Sequence, residues 1–403
     1  MSWEKTTIGE HCTVTSSKRF HLSDRTNCGV PFYCSKEIIQ KVKSEEIDNC
    51  DYISEEFYEA VAQKYGVPQE NDLLVTTRGT IGVPYLYKKS DRFYFADGNL
   101  TWMKDFQSTL LPQYLYYWFL SHEGQSKIDS IAKGTAQKAV PIAGIRTLEL
   151  LLPPIEIQCR IADILSAYDD LIENNRKQIK LLEEAAQRLY QEWFVDLRFP
   201  GHKHTKIMDG VPEGWRNIRL SDIAAINANN VPKDYPYDHI EYTDLSSVQN
   251  GIIKETTRYF LTEAPGRAKR MANDGDVIWG MVRPNLKSFA LVLNPKETDV
   301  FSTGFCILSP KTVPFSYLYY AVTTESFVTY LVNCTNGAAY PAVKPIHFAE
   351  ASLLCPDNGL LDRFNAIVEP MLRKREKLLI MINQAQQARD RLLPKLMSGV
   401  VKV

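Results

Sequence analysis

The chain is written twice. An internal period of about half its length means two copies of one unit, so any fold it adopts has to accommodate a duplication. Pro153-Pro154-Ile155 followed by Arg160-Ile161-Ala162-Asp163-Ile164 is answered about 203 residues later by Cys355-Pro356-Asp357 followed by Arg363-Phe364-Asn365-Ala366-Ile367. Upstream, Gly134 to Val140 parallels Gly337 to Val343. Further upstream, Asn71-Asp72-Leu73-Leu74 followed by Arg78 parallels Gly275-Asp276-Val277-Ile278 followed by Arg283. Trp3 with Ile8-Gly9-Glu10 resembles Trp215 with Leu220-Ser221-Asp222. Each half therefore reads as a globular unit followed by a helix.

The helices are the clearest elements. Each begins after a proline and runs for roughly 40 residues, about 60 Å at 1.5 Å per residue. In the first, Ile161, Ile164, Tyr168, Ile172, Asn175, Ile179, Leu182, Ala186, Leu189 and Trp193 recur at spacings of three and four, which is a coiled-coil seam. The second repeats the spacings with Phe364, Ile367, Met371, Arg375, Leu378, Ile382, Ala385, Arg389, Leu392 and Leu396. A long helix draws most of its stability from packing its apolar stripe, so the simplest solution pairs the two with each other. Asn175 and Arg375 are poor core residues: either they fix register at a cost in stability, or they tip to solvent.

The globular halves look mixed. Leu73–Thr77, Val83–Tyr87, Arg92–Ala96, Asp276–Trp279 and Phe289–Leu293 read as strands bounded by Gly, Pro and Asp turn signals. Pro112–Leu120 and Phe315–Val322 read as helices, and their aromatic stripes suit a core better than a base-stacking platform. The fold class is α+β, in two similar units with two long antiparallel helices as a coiled-coil spacer. The boundaries are 1–150 for the first unit, 151–197 for the central helix, 198–213 for a linker, 214–356 for the second unit, and 357–403 for the distal helix and tail.

Composition sets limits without choosing a function. With 403 residues, the chain exceeds the size at which a single core stops growing. Lys and Arg number 47 against 48 Asp and Glu, a formal charge of -1. That balance excludes a histone-like or tail-driven polyanion binder. A neutral chain can still segregate charge by face, and here acidic residues crowd Glu45 to Glu59 while cations gather at Lys133 to Lys138 and Arg267 to Arg270. No apolar run approaches the roughly 20 residues of a spanning helix, and the first residues do not read as a signal peptide, so a soluble, cytoplasmic protein is expected. The 8 cysteines form no C-x-x-C pair and read as reduced thiols. Neither Cys12, Cys28, Cys34 and Cys50 nor His202 and His204 have zinc-module spacing, so no metal is expected.

Two diverged units alternating with two matched helices, with Leu-Pro-Pro heading the first, resembles the specificity subunit of Type I restriction-modification systems. The most specific stretch, Leu151 to Leu165, is similar to that family's Pro-Pro-Leu-x-Glu-Gln-x-x-Ile-Ala-x-x-Leu pattern, with Ile157 standing where the family usually has Glu. In the second copy Pro356-Asp357-Asn358 replaces Pro-Pro, a further departure. The resemblance implies that each unit is a target-recognition domain reading one half of an interrupted, asymmetric site in double-stranded DNA. It implies that the helices are a ruler that docks two modification (methyltransferase) subunits, with restriction subunits added around that core. The chain itself would hold no cofactor and do no chemistry. S-adenosylmethionine would belong to the methyltransferase partner, and ATP and Mg to the restriction partner.

Direct readout uses Arg, Lys, Asn and Gln at base edges, with Lys and Ser/Thr on phosphates. In the first unit the candidates are Thr77 and Arg78 at a strand end, Lys133, Thr135, Gln137 and Lys138 in a flexible loop, and Lys18 and Arg19 in a third loop. In the second, Arg283, Asn285 and Lys287 occupy the Arg78 position, Tyr340 and Lys344 the Gln137 loop, and Arg267, Lys269 and Arg270 a basic cluster suited to phosphate. Two rivals remain. One is a DNA enzyme, disfavoured because the chain has no Asn-Pro-Pro-aromatic motif, phosphate loop or Asp/Glu-x-Lys triplet. The other is a coiled-coil adaptor whose globular heads bind protein.

Overall fold

The computed structural model describes residues 3–43, 45–134, 138–335 and 341–401. The chain divides into two units, one formed by Met1–Glu173 with Ile382–Val403 and the other by Asn174–Met381. The first contains β1 (Glu4–Thr7), β2 (Thr13–Thr15), β3 (Arg25–Thr26), β4 (Val30–Tyr33), α1 (Ser35–Lys43), β5 (Asp51–Ile53) and α2 (Glu55–Tyr65). It continues with β6 (Leu73–Thr76), β7 (Pro84–Leu86), β8 (Tyr94–Phe95), β9 (Leu100–Lys104), α3 (Pro112–Leu120), α4 (His122–Ile131), α5 (Ile142–Arg146) and β10 (Glu149–Leu152), then enters α6 (Ile155–Tyr190).

The second unit takes the rest of α6 and then β11 (Ile207–Met208), β12 (Val211–Pro212), β13 (Arg216–Arg219), α7 (Leu220–Ile223), β14 (Ala224–Ile226), β15 (His239–Thr243), β16 (Val248–Gln249) and β17 (Ile252–Ile253). There follow β18 (Thr257–Phe260), β19 (Ala268–Arg270), β20 (Val277–Gly280), β21 (Phe289–Leu291), β22 (Asp299–Ser302), β23 (Phe305–Pro310), α8 (Phe315–Ala321), α9 (Glu325–Asn333), α10 (Pro345–Glu350) and β24 (Ser352–Cys355). Last comes α11 (Asn358–Met397).

The α+β class holds, and the repeat is structural. The first unit has a four-stranded sheet in the order β2-β9-β6-β7, the second one in the order β14-β23-β20-β21. Both are antiparallel throughout, and their inner strands β6 and β20 are buried along their whole length, which is why Leu-Leu-Val-Thr and Val-Ile-Trp-Gly read as unbroken apolar runs. Each unit closes its ends the same way: β1 pairs with β10, and β13 with β24. Small contacts repeat too. Tyr114 Oη donates to the Leu151 carbonyl at 3.2 Å, and Tyr317 Oη to the Leu354 carbonyl at 2.9 Å. Ser121 caps α4 by accepting from the Gly124 amide, and Thr324 caps α9 by accepting from Phe327.

The aromatic stripes are core. Tyr114, Leu115, Tyr117, Trp118 and Phe119 are buried in the first unit, and Tyr317, Leu318, Tyr319 and Tyr320 in the second. Each unit folds its core onto its own share of the two long helices. In the first, Ile161 and Leu165 of α6 cluster with Leu393, Leu396 and Met397 of α11. In the second, Ala186, Tyr190, Trp193 and Phe194 cluster with Leu360, Leu361, Phe364, Val368 and Leu372. Within each unit the segments run antiparallel, as the ion pairs Asp169–Arg389 and Glu183–Arg375 confirm.

The seam needs correction near the start of both helices: in α6, Leu165, outside the repeating set, is fully buried while Ile164 is half-buried, and α11 departs further. Ile367 is 42% exposed, while Val368 and Leu372, outside the repeating set, are buried. There the inward face of α11 is set by the aromatic cluster of its own globular unit, so a strict seam spacing loses register. Tyr168, Met371 and Leu392 are half-buried, as are Ile164, Leu182 and Leu189. Neither Asn175 nor Arg375 tips to solvent: they are 2% and 4% exposed. α6 ends in a π-type turn, Gln191–Val195, that buries Trp193 and Phe194. Residues 198–213 include the β11–β12 hairpin, whose Ile207 and Met208 are exposed.

Candidate nucleic-acid interface

The chain leaving the inner strand of each first sheet makes the same move. In the first unit the Thr77 carbonyl accepts from the Val140 amide at 3.0 Å, and Arg78 forms a bridge with Ala139. In the second, the Met281 carbonyl accepts from the Val343 amide at 2.9 Å, and Val282 bridges Ala342. Each unit thus places an exposed segment against the loop that precedes its last short helix.

These pairings shift one assignment. Val282 stands where the first unit has Arg78, and Arg283 stands where it has Gly79. The backbone agrees, since Gly79 and Arg283 are both left-handed, with φ of 73° and 48°. Glycine adopts that conformation freely, whereas arginine does so at a cost, so Arg283 is held there by its surroundings. The two arginines are therefore neighbours in register. By residue type the two arginines align, and only the hydrogen-bond ladder distinguishes their positions.

Arg78, Gly79 and Thr80 are exposed, and the Arg78 guanidinium lies over the Gly98 turn. Beside it a shallow recess of about 570 Å³ is lined by Ser35, Gln40, Arg78, Gly79 and Asn99. Its counterpart, about 380 Å³, is lined by Ser246, Gln249, Val282, Arg283, Leu286 and Ser288. Ser35, Gln40, Asn99, Ser246 and Gln249 each lie far along the chain from the arginine they border. No local pattern marks them.

Thr77 is a correction. It is 3% exposed, and its hydroxyl donates to the Gly98 carbonyl at 3.3 Å, so it braces the turn and presents nothing outward. Lys18 is exposed, with its ammonium 5.0 Å from the Tyr65 ring centroid, and Arg19 is exposed beside it. Lys133 and Lys138 are exposed, Lys138 facing Asp129 at 3.7 Å. Thr135, Gln137 and Tyr340 lie outside the described residues.

In the second unit the loop after β20 is stiff. Left-handed residues Arg283 and Lys287 flank a 3-10 turn, Pro284–Leu286. The Arg283 amide donates to Pro341 O at 2.8 Å, Leu286 to Arg283 O at 2.9 Å, and Lys287 to Pro284 O at 3.0 Å. Arg283, Asn285 and Leu286 are exposed on it, whereas Lys287 is engaged with Glu325. Arg267 and Lys269 are exposed on and beside β19, and Arg270 donates to Asn230 Oδ1 at 3.0 Å. Lys344 is exposed at the start of α10.

Behind both loops a buried aspartate holds the start of the inner strand. Asp72 accepts from the Gln69 amide at 2.9 Å and from Trp102 Nε1 at 2.7 Å, and Asp276 accepts from the Asn273 amide at 2.8 Å. Burial raises both carboxyls above the ordinary aspartate value. Elsewhere, burial pushes the Cys12 and Cys306 thiols up to about 12, which keeps them protonated. Among the described residues no His, Cys, Asp and Glu group could hold a metal ion, and no helix is long and apolar enough to cross a membrane.

An internally repeated α+β chain with matching exposed loops is the class these observations define, and known proteins similar to it share one description. Residues 1–184 match the model of the Type I restriction modification DNA specificity domain. The chain is 25% identical over 351 residues to the Type I restriction enzyme MjaIX specificity subunit of Methanocaldococcus jannaschii, spanning 82% of this chain and 78% of that one. It is 22% identical to the MjaVIII specificity subunit of the same organism, across 100% of this chain and 93% of that one. In fold, it is similar to the crystal structure of the Type-I restriction-modification system S subunit from M. genitalium, with a TM-score of 0.66 at 15% identity over 98% and 96% of the two chains. The chain is similar along its length to Type I specificity subunits, as the Pro-Pro and Arg-Ile-Ala stretches indicated, and residues 1–184 match the model of their DNA specificity domain.

Proposed function

We propose that each unit reads one half of a bipartite, asymmetric site in double-stranded DNA, and that the paired helices space the readers and dock two methyltransferase subunits. Restriction subunits join around that core. The chain supplies recognition, and its partners supply S-adenosylmethionine, ATP and Mg chemistry.

The observation that carries this reading is the repeated strand-end loop with an exposed arginine beside a recess of mixed polar and apolar lining, set on two sheets of the same topology. A bidentate arginine at a guanine edge discriminates by roughly 1–3 kcal/mol per base pair. Because the two loops differ in residues and register, the halves of the site differ, and the target is asymmetric. Lys18, Arg19, Lys133, Lys138, Arg267, Lys269, Arg270 and Lys344 supply phosphate contacts, with Asn285 at a base edge.

Mapping methylated adenines in DNA from cells carrying the complex defines the site. Arg78→Ala and Arg283→Ala then each relax one half only, by about 1–3 kcal/mol in competition binding. Loss of both halves from either change would sink the two-reader scheme. Binding with no salt dependence would favour a protein-binding adaptor, since released counterions give a steep slope. Leu378, buried on the seam, tests docking: Leu378→Glu is expected to release the methyltransferase subunits in size-exclusion chromatography, and unchanged assembly would refute that part.

A further inference from the structure

The buried cation of the second unit has no counterpart at the equivalent place in the first. Arg375 of α11 donates through Nε to Glu183 of α6 and through Nη2, at 2.7 Å, to the carbonyl of Gly251. By the 203-residue period of the helices, the first unit has Ile172 and Gln386 at the positions of Arg375 and Glu183. One unit therefore buries a cation, paired with a partly exposed glutamate, where the other has an isoleucine and an amide at the matching positions. Burying the Arg375 guanidinium costs desolvation that offsets much of its attraction to Glu183, so the pair is weak evidence for stability and another role has to be sought.

The contacts beyond Gly251 supply one. Gly251 forms the turn of the β16–β17 hairpin with φ of 81°, and a Cβ there would stand 2.6 Å from Tyr319 Oη and 3.4 Å from Arg375 Nη2. The positive φ and the nearby Tyr319 hydroxyl favour glycine at this turn, whose carbonyl takes the guanidinium. The neighbouring amides face the other way: Asn250 donates to the Lys287 carbonyl at 2.9 Å, and Gly251 to the Phe289 carbonyl at 2.8 Å. The same turn thus grips both ends of Lys287–Phe289, the exit of the loop that carries Arg283, Asn285 and Leu286. On its open side lies a recess of about 450 Å³ whose lining includes Glu183, Asn250, Lys287 and Tyr319, while the strands behind the turn pack through Val248 and Ile253.

We propose that Arg375 is a positioning residue for the reading loop of the second unit: held by Glu183, it fixes the Asn250–Gly251 turn, which fixes the loop exit. The state of the helical seam then bears on how the second half-site is read, and the first half-site lacks this link. The inference rests on the reading that the Arg283 loop touches DNA.

The test uses the full-length chain with its methyltransferase subunits and duplexes carrying the mapped site or single mismatches in either half. Arg375→Ile with Glu183→Gln gives the second unit the residues that the first carries. It is expected to lower second-half discrimination about tenfold, the scale of one hydrogen bond to a charged group, and to leave first-half discrimination unchanged. Gly251→Ala, which leaves both charges in place, is expected to act the same way. Unchanged second-half discrimination, equal loss in both halves, or loss of cooperative unfolding of the second unit in the double variant would overturn the proposal; the last would assign the pair to stability alone. Arg283→Ala separates the two levels. If it leaves the second half unaffected, the DNA reading of the loop fails; if it relaxes that half while the Arg375 variants do not, only the coupling fails.

Discussion

The two units share one sheet and part company at the other. β2-β9-β6-β7 and β14-β23-β20-β21 match strand for strand, down to the buried Asp72 and Asp276 at the head of each inner strand. The second sheets are β3-β5-β4-β8 and β18-β15-β22-β19. Each includes one parallel pair, β4 with β8 and β15 with β22. Between the first-sheet strands the first unit inserts helices α1 and α2, whereas residues 227–276 of the second insert the β16–β17 hairpin and a 3-10 turn. The shared sheet lies against the helices, where its face must stay complementary to a fixed seam. The inserts border the exposed arginine loops and can change without disturbing that seam.

The largest expected effect tests whether the shared part is equivalent in energy. Phe364 and its counterpart Ile161 are both fully buried against α6–α11 partners. Phe364→Ala is expected to destabilise the second unit by about 3–5 kcal/mol, and Ile161→Ala the first by about 2–5 kcal/mol. Hydrogen exchange should localise each loss to its own unit. Equal loosening of both units by either substitution would mean that they do not unfold as separate cores.

A smaller effect addresses the polar contacts that differ. In the first unit Tyr117 Oη donates to Asp169 at 2.7 Å, and Asp169 pairs with Arg389 at 2.6 Å. The corresponding residues in the second unit are Tyr320, Leu372 and Ala186. Asp169→Ala removes the acceptor of the Tyr117 hydroxyl and one of the two carboxylates on Arg389, which keeps Asp390, and is expected to cost about 1.5–3 kcal/mol in urea unfolding. Asp169→Leu with Arg389→Ala, which copies the second unit, is expected to recover most of that loss. Failure to recover would show that the contact is not interchangeable between units.

The smallest effect concerns pH. The Arg373 guanidinium, 2.9 Å from Asp274, holds that carboxyl below its ordinary value of 3.8. A lowered carboxyl contributes stability that is present above its unfolded pKa and lost as pH falls through its folded one. Both partners are partly exposed, so Asp274→Asn is expected to cost at most about 0.5 kcal/mol at neutral pH. The difference from the unaltered chain should shrink in thermal unfolding as pH falls past the ordinary aspartate value and vanish once it is below the lowered folded one. A difference that persists there would point to shape rather than charge.

The residues themselves determined the duplication, the α+β class, the aromatic cores and the two long helices, because each rests on a local period that survives folding: 3.6 residues for Leu, Ile and Phe stripes, and continuous apolar runs for Leu73–Val75 and Val277–Trp279. Tertiary structure alone decided the rest. It moved Arg283 into register with Gly79, turned Thr77 inward, exposed Ile367 and buried Arg375 against Gly251. It also gathered Ser35, Gln40 and Asn99 beside Arg78. Those facts depend on hydrogen bonds and contacts between residues far apart in the chain, and a one-residue shift in a ladder leaves no trace in composition or spacing.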